Sequence, residues 1–206
     1  MKNLQNLIPK NIFDEGGRCG IEKGEIIKSL VLKTKAELCV EIGVFKGSSL
    51  MYFTESVIET GGKIFGIDPY TISALKNEIP DRKTSDLIYN VLFKEQETLD
   101  NIFLELVDII KENNLNNYVE IIRDASENCY KNFKNESIDV LHIDGNHDEE
   151  FVTKDILNYL PLVKKNGYII MDDINWPGVK KSIENHLKNK CDLIKKYKDF
   201  AVYLKK

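Results

Sequence analysis

Apolar positions along the chain follow two periods. Leu38 to Ile42, Lys63 to Ile67, Tyr118 to Ile122, Ile138 to Ile143 and Tyr168 to Met171 are short apolar runs that predict five buried strands. Between and around them the spacing turns helical: Ile26, Ile27, Leu30 and Val31; Leu50, Phe53, Val57 and Ile58; Leu87, Ile88, Val91 and Leu92; Leu99, Ile102, Phe103, Leu106 and Ile110; Val152, Ile156, Tyr159 and Leu160; Val179, Ile183 and Leu187. The punctuation agrees with this reading. Gly61-Gly62 stops one helix, Asn113-Asn114 another, Pro177 suits a first helical turn, and Asn166-Gly167 is expected to turn the chain into the fifth strand. Two last β-like runs, Asp192 to Tyr197 and Phe200 to Leu204, are joined by Lys198-Asp199 and predict an antiparallel hairpin. Strands alternating with helices imply an α/β fold with a doubly wound sheet of seven strands, mostly parallel and antiparallel at its C-terminal hairpin.

A length of 206 residues suits a single domain, residues 1–206, and 42% apolar with 30% charged residues is the balance of a soluble globular chain. Residues 1–20 are expected as an irregular N-terminal arm; residues 70–95, too long for an ordinary α/β connection, as a substrate-side insertion. A net charge of -4 with a pI near 5.5 argues against a nucleic-acid partner, which needs clustered Lys and Arg. The lysines crowding the C-terminal quarter read as solvated helix and edge-strand charges. Cys19, Cys39, Cys129 and Cys191 show no C-x-x-C pairing, so neither a zinc nor a disulfide framework is expected. No run approaches the roughly 18 apolar residues of a membrane span, and a cytoplasmic location with no membrane partner is the expectation.

Chemistry enters at the strand ends. Strands one, two, four and five end in or near Glu41, Asp68, Asp144 and the pair Asp172-Asp173, which makes the carboxyl edge of the sheet acidic. Gly43 and Gly47 bracket the turn between the first strand and its helix, where helix N-terminal amides meet the usual ligand edge of such folds. A dinucleotide site would show G-x-G-x-x-G, but here an acid, Glu41, stands at the first glycine's place. Carboxylates there repel phosphates and suit a cationic, adenosine-bearing ligand.

Val40-Glu-Ile-Gly-Val-Phe-Lys-Gly-Ser-Ser49, Phe65-Gly-Ile-Asp-Pro69, Ile143-Asp-Gly-Asn-His147 and Gly167-Tyr-Ile-Ile-Met-Asp-Asp173 resemble, in order and spacing, the successive motifs of class I S-adenosylmethionine-dependent methyltransferases. Within that class they are most similar to the metal-dependent O-methyltransferases and the related sugar and natural-product enzymes, over about residues 35 to 204. The resemblance implies a Rossmann-like fold that binds S-adenosyl-L-methionine. Gly43 and Gly47 would admit the methionine part, with Glu41 and Ser49 near its ammonium and carboxylate. Asp68 would accept from the ribose hydroxyls, and Asp124, Ala125 and Ser126 would flank the adenine, with Ser126 and Glu127 as its polar contacts. Asp144, placed beside both cofactor and acceptor, would with Asp172 and Asp173 hold a divalent cation, Mg²⁺ first and Mn²⁺ or Ca²⁺ as alternatives, since hard carboxylate oxygens suit such ions. His147 would take the acceptor's proton, imidazole being the side chain suited to that near neutral pH. The catechol-type relatives usually carry Asn and Lys where this chain has Asp173 and His147, which turns the expectation toward a sugar or other small polyhydroxylated acceptor.

Other readings of the same residues stand beside these. Asp144, Asp172 and Asp173 could be strand-end caps, His147 a surface residue, and His142 a hydrogen-bonded core histidine. Trp176 and Tyr70 fit either a pocket wall or packing. Methyl transfer without a metal, a non-catalytic cofactor-binding subunit and, last, a nicotinamide dehydrogenase are the competing functions. Homo-oligomerisation stays open.

Overall fold

The computed structural model describes residues 3–9, 19–75 and 94–206. Its elements are α1 (Ile21–Thr34), β1 (Leu38–Ile42), α2 (Ser48–Thr60), β2 (Lys63–Ile67), the single turn α3 (Ile72–Leu75), α4 (Gln96–Glu112), β3 (Val119–Ile122), the short α5 (Ser126–Cys129), β4 (Ile138–Ile143), α6 (Glu149–Tyr159), β5 (Val163–Met171), α7 (Pro177–His186), β6 (Cys191–Lys196) and β7 (Ala201–Lys205). The seven strands form one sheet in the order β3-β2-β1-β4-β5-β7-β6. β1 to β5 pair in parallel, and β7 pairs antiparallel with both β5 and β6. The fold is thus the α/β arrangement the hydrophobic pattern predicts. Chain order reverses between β1 and β4, and ligands of doubly wound sheets bind at such a switch point.

Strand residues alternate between faces, so the sheet has two cores. Cys39, Val140, Tyr168, Ile170 and Val202 pack on one side against Ile27 and Val31 of α1, Leu50, Phe53 and Val57 of α2, and Leu99, Leu106 and Ile110 of α4. Val40, Ile42, Leu141, Ile143, Ile169 and Met171 pack on the other against Val152, Ile156 and Tyr159 of α6 and Val179 and Ile183 of α7. α2 is capped at its end by Gly61 in the left-handed conformation, as its sequence suggests.

Asn166-Gly167 does not open the fifth strand. β5 begins at Val163, and its register with β4 jumps from Ile138↔Val163 to Val140↔Tyr168, so these residues form a bulge within one strand, with Asn166 at φ 61°. The expected irregular arm contains an ordered 3-10 turn, Leu4–Leu7, whose Leu4 amide donates to Glu55 Oε1 of α2 at 2.7 Å while Leu4 and Ile8 are buried. The rest of that arm, from 10 to 18, lies outside the described residues, as do residues 76–93 of the expected insertion with the helical pattern from Leu87 to Leu92. No helix among the described residues is long and apolar enough to cross a membrane.

The loops at the switch point are stitched together by main-chain bonds: Gly43 N–H to Ile67 O, Asp144 N–H to Ile42 O, and Asp172 N–H to Ile143 O, at 2.8–3.0 Å. Gly43 has φ 85°, and a Cβ there would lie 2.0 Å from the carbonyl oxygen of Asp144. Its missing side chain serves the approach of the two loops. Gly43→Ala is expected to lower unfolding free energy by about 2–4 kcal/mol, combining a disfavoured backbone with a backbone clash. Urea denaturation checks this, and an unchanged midpoint would contradict the close approach.

Candidate active site

Strand parity builds the site. Glu41 of β1 stands opposite His142 of β4 in the parallel register, and both share the face of Cys39, Val140 and Ile170. Asp144 and Asp172, two residues beyond His142 and Ile170, continue on that face. Glu41 Oε1 lies 2.8 Å from His142 Nδ1, and both side chains are fully buried. The other ring nitrogen, Nε2, is 3.5 Å from Asp172 Oδ2 and 3.9 Å from Asp144 Oδ2. Lys23, from the first turn of α1, is hydrogen-bonded to Asp172 Oδ2, and its Nζ is 3.8 Å from Asp144 Oδ2. Glu41, His142, Asp172 and Lys23 therefore form a chain of alternating charge under the sheet edge.

The charges tune one another. Burial opposes the imidazolium of His142, but the nearby carboxylates of Asp172 and Glu41 outweigh it and raise the pKa to about 10. Burial likewise opposes the Lys23 ammonium and is outweighed by Asp144 and Asp172, so Lys23 too is raised. Against burial, His142 and Lys23 hold Asp172 far below the ordinary carboxylate range. Burial and the Asp172 charge push half-exposed Asp144 the other way, well above that range. Burial also pushes the neighbouring Cys19 thiol up to about 12, which leaves it a poor source of thiolate.

The turn after β1 carries Gly43 and ends at Gly47, the left-handed N-cap of α2, with Ser48 and Ser49 buried in the first helical turn. Asp68 clamps this turn. Its Oδ2 accepts from the amides of Val44 and Phe45 at 3.0 and 2.9 Å, and its Oδ1 from Tyr70 N at 2.8 Å. A carboxylate offers about four acceptor sites, so three are engaged by the protein itself. Tyr70 is buried, donates its hydroxyl to Phe45 O at 2.7 Å and packs on Phe103. Phe45, Tyr70 and Asp173, at φ 49°, 50° and 48°, hold a left-handed backbone that non-glycine residues rarely adopt, a form of strain that gathers at functional edges.

At the next strand end Asp124 Oδ1 accepts from Ala125 N and Asn128 Nδ2, at 2.7 and 2.8 Å, just ahead of α5. Ser126 turns inward and is hydrogen-bonded to Asp155 of α6, while its carbonyl accepts from the Tyr159 hydroxyl at 2.8 Å. Glu127 is exposed and ion-paired with Lys154 at 3.2 Å.

Asp173 separates from Asp172. Its Oδ2 lies 2.7 Å from His147 Nε2, and the imidazole stacks on Trp176 with ring centroids 4.4 Å apart. A carboxylate at this distance fixes the orientation of the imidazole ring. The described residues thus offer two candidate cation-binding groups that share Asp144: His142, Asp144 and Asp172, largely buried, and Asp144, His147 and Asp173, half-exposed, each with donor atoms within 4.8 Å. The donor chemistry fits a divalent cation best in the half-exposed group, since the buried one already holds the Lys23 ammonium.

Against this geometry, a family model described as a methyltransferase domain matches residues 40–174. The chain belongs to the methyltransferase-domain family. An uncharacterised protein of Acanthamoeba polyphaga mimivirus is 29% identical over 134 residues, which are 65% of this chain and 50% of that protein. The chain therefore spans about half the length of the curated relative it matches. Among solved structures, an SAH-bound methyltransferase from Podospora anserina superposes with a TM-score of 0.67 at 14% identity, over 98% of this chain and 86% of that one. A Bacillus cereus O-methyltransferase in complex with SAH gives 0.65 at 17% identity, over 100% and 91%. At these identities the likeness is one of fold, and that fold is the class I methyltransferase fold.

Sequence reasoning brought the acids of this chain to one edge but missed Lys23 and Asp155. Asp155 is 4% exposed, and burial pushes its pKa up to about 7 against the Ser126 hydrogen bond. A carboxyl raised in the folded state destabilises the fold where it must ionise. Stability from this group is absent above pH ~7 and gained as pH falls toward ~4, where the unfolded chain also protonates. Asp155→Asn is expected to stabilise the protein at pH 8 by on the order of 1–3 kcal/mol, the gain fading toward pH 4–5. Thermal unfolding across that range checks the sign.

Proposed function

We propose that this methyltransferase transfers the methyl group of S-adenosyl-L-methionine to a hydroxyl of a small polyhydroxylated acceptor, a sugar or natural product. The observation that carries the cofactor half is Glu41. Its Oε1 faces His142, but its Oε2 is fully buried with no hydrogen-bond partner among the described residues. A buried carboxylate oxygen left unpaired is unfavourable, and the ammonium of the methionine moiety would satisfy it. The amides of the first turn of α2, at Gly47, Ser48 and Ser49, suit the methionine carboxylate. Asp68 keeps one acceptor site for a ribose hydroxyl, and residues 124–126 flank the adenine. SAH in the Podospora anserina and Bacillus cereus structures supports the same cofactor here.

The acceptor half rests on Asp144, His147 and Asp173. Carboxylates accept hydrogen bonds from several hydroxyls and repel phosphate, which favours a neutral polyol. His147, oriented by Asp173 and seated on Trp176, takes the hydroxyl proton as the oxygen attacks the methyl carbon in line. The new O–C bond forms as the S–C bond breaks, its electron pair leaves on sulfur, and the products are a methyl ether, S-adenosylhomocysteine and an imidazolium. Asp144 and Asp173, with acceptor oxygens completing the shell, would hold a divalent cation, which when bound supplies Lewis acidity toward the acceptor.

Calorimetric titration with S-adenosylmethionine should show binding that Glu41→Gln weakens at least tenfold; no binding with or without Mg²⁺ would sink the proposal. His147→Ala should lower kcat by about 10²–10⁴ with little change in cofactor affinity. Chelation that leaves wild-type turnover intact would remove the cation from the reading and leave the His147–Asp173 pair as the whole of the acceptor chemistry.

A further inference from the structure

Lys23 breaks a local rule. A lysine in the first turn of a helix faces the positive end of the helix dipole, and such conflicts persist where something else compensates. Here α1 is held so that the side chain reaches the sheet edge. Gly24 lets α1 lie directly on α2, since a Cβ there would come within 2.3 Å of the Tyr52 ring. Cys19, just before the helix, donates its amide to Ser48 Oγ of α2 at 3.1 Å, and Ile27 and Val31 are fully buried one and two turns later. The Lys23 side chain is 14% exposed and ends between Asp172 and Asp144.

We propose that Lys23 is the protein's own cation for the Asp144–Asp172 pair, a positioning residue that withholds Asp172 from a divalent ion and so confines such an ion to the half-exposed Asp144–His147–Asp173 side. The inference builds on the proposed cation reading but is judged separately from it. A divalent ion ligated by Asp172 and Asp144 together would have to stand where the ammonium stands. Mg²⁺ or Mn²⁺ needs carboxylate oxygens at about 2 Å, so both oxygens would close on the ion and leave the ammonium against a doubly charged neighbour. The two cations therefore exclude each other at this pair. Asp172 has a further cation in His142, on its other side, so it is not left bare when Lys23 is removed.

The test uses Mn²⁺ alone, titrated by calorimetry or electron paramagnetic resonance into the cofactor-free full chain. Lys23→Met is expected to bind Mn²⁺ at least tenfold more tightly than wild type, and Lys23→Arg within about threefold of it. Adding Asp172→Asn to Lys23→Met should abolish the gain. Should Lys23→Met not fold, Lys23→Gln is expected to shift affinity in the same direction. Equal or weaker binding by a folded Lys23→Met or Lys23→Gln variant, or no binding by any variant, overturns the proposal. The cation reading of the reaction has its own failure, full wild-type turnover after chelation, which leaves the affinity ratio between wild type and variant unaffected.

Discussion

The alternation of side chains at the carboxyl edge of a parallel sheet is the constraint on which the site depends. Because residues two apart share a face, Glu41, His142, Asp144 and Asp172 fall on the side covered by α1 and α2, while Asp173 turns to His147. One side becomes a buried network balanced in charge, with Glu41 Oε2 left without a hydrogen-bond partner among the described residues, and the other a half-exposed group of donors. Two formal negative charges, on Glu41 and Asp172, meet two positive ones, on His142 and Lys23. A buried network of this kind holds only when each charge has its partner, since the low local dielectric strengthens both the attraction within it and the penalty for a missing member.

That constraint explains which parts were legible in the sequence. Strands, helices and their order follow from periodicity and from punctuation such as Gly61 and Pro177, because these are local signals. The edge acids were legible for the same reason: each ends a recognisable apolar run. The pairing of Glu41 with His142 depends on β1 and β4 being neighbours, a fact of topology that a separation of 101 positions conceals. His142 does read as a hydrogen-bonded core histidine, but the identity of its partner needs the register. Asn166-Gly167 looks like a turn and is a bulge, since bulge and turn demand the same left-handed residue and differ only in whether pairing resumes in the same strand.

Lys23 and Asp155 were hidden for a different reason. Both lie on helices whose apolar faces dominate their pattern, and a single charged residue beside such a face ordinarily reads as solvated. Only the placement of α1 over the sheet edge, permitted by the bare Cα of Gly24, makes Lys23 part of the site. Asp155 is drawn in by Ser126, so the loop proposed to flank adenine is braced from behind by α6. In both cases the helix contributes chemistry through one residue at the border between its buried and exposed faces.

The same electrostatics bear on turnover in the proposed reaction. With the Glu41–His142–Asp172–Lys23 chain neutral as a unit, the net negative charge of the edge rests on Asp68, Asp173 and, when ionised, Asp144. A sulfonium cofactor enters that field as a cation at sulfur and leaves as a neutral thioether, so transfer of the methyl group removes one attraction that held the donor. The imidazolium formed on His147 next to Asp173 replaces the lost positive charge inside the site and then surrenders its proton to solvent. An edge that kept all its carboxylates uncompensated would hold a second cation as firmly as the donor. In the proposed reaction, internal neutralisation by Lys23 and His142 would lower the negative charge of the edge without removing it, and the charge that remains would favour the cationic donor over the neutral product.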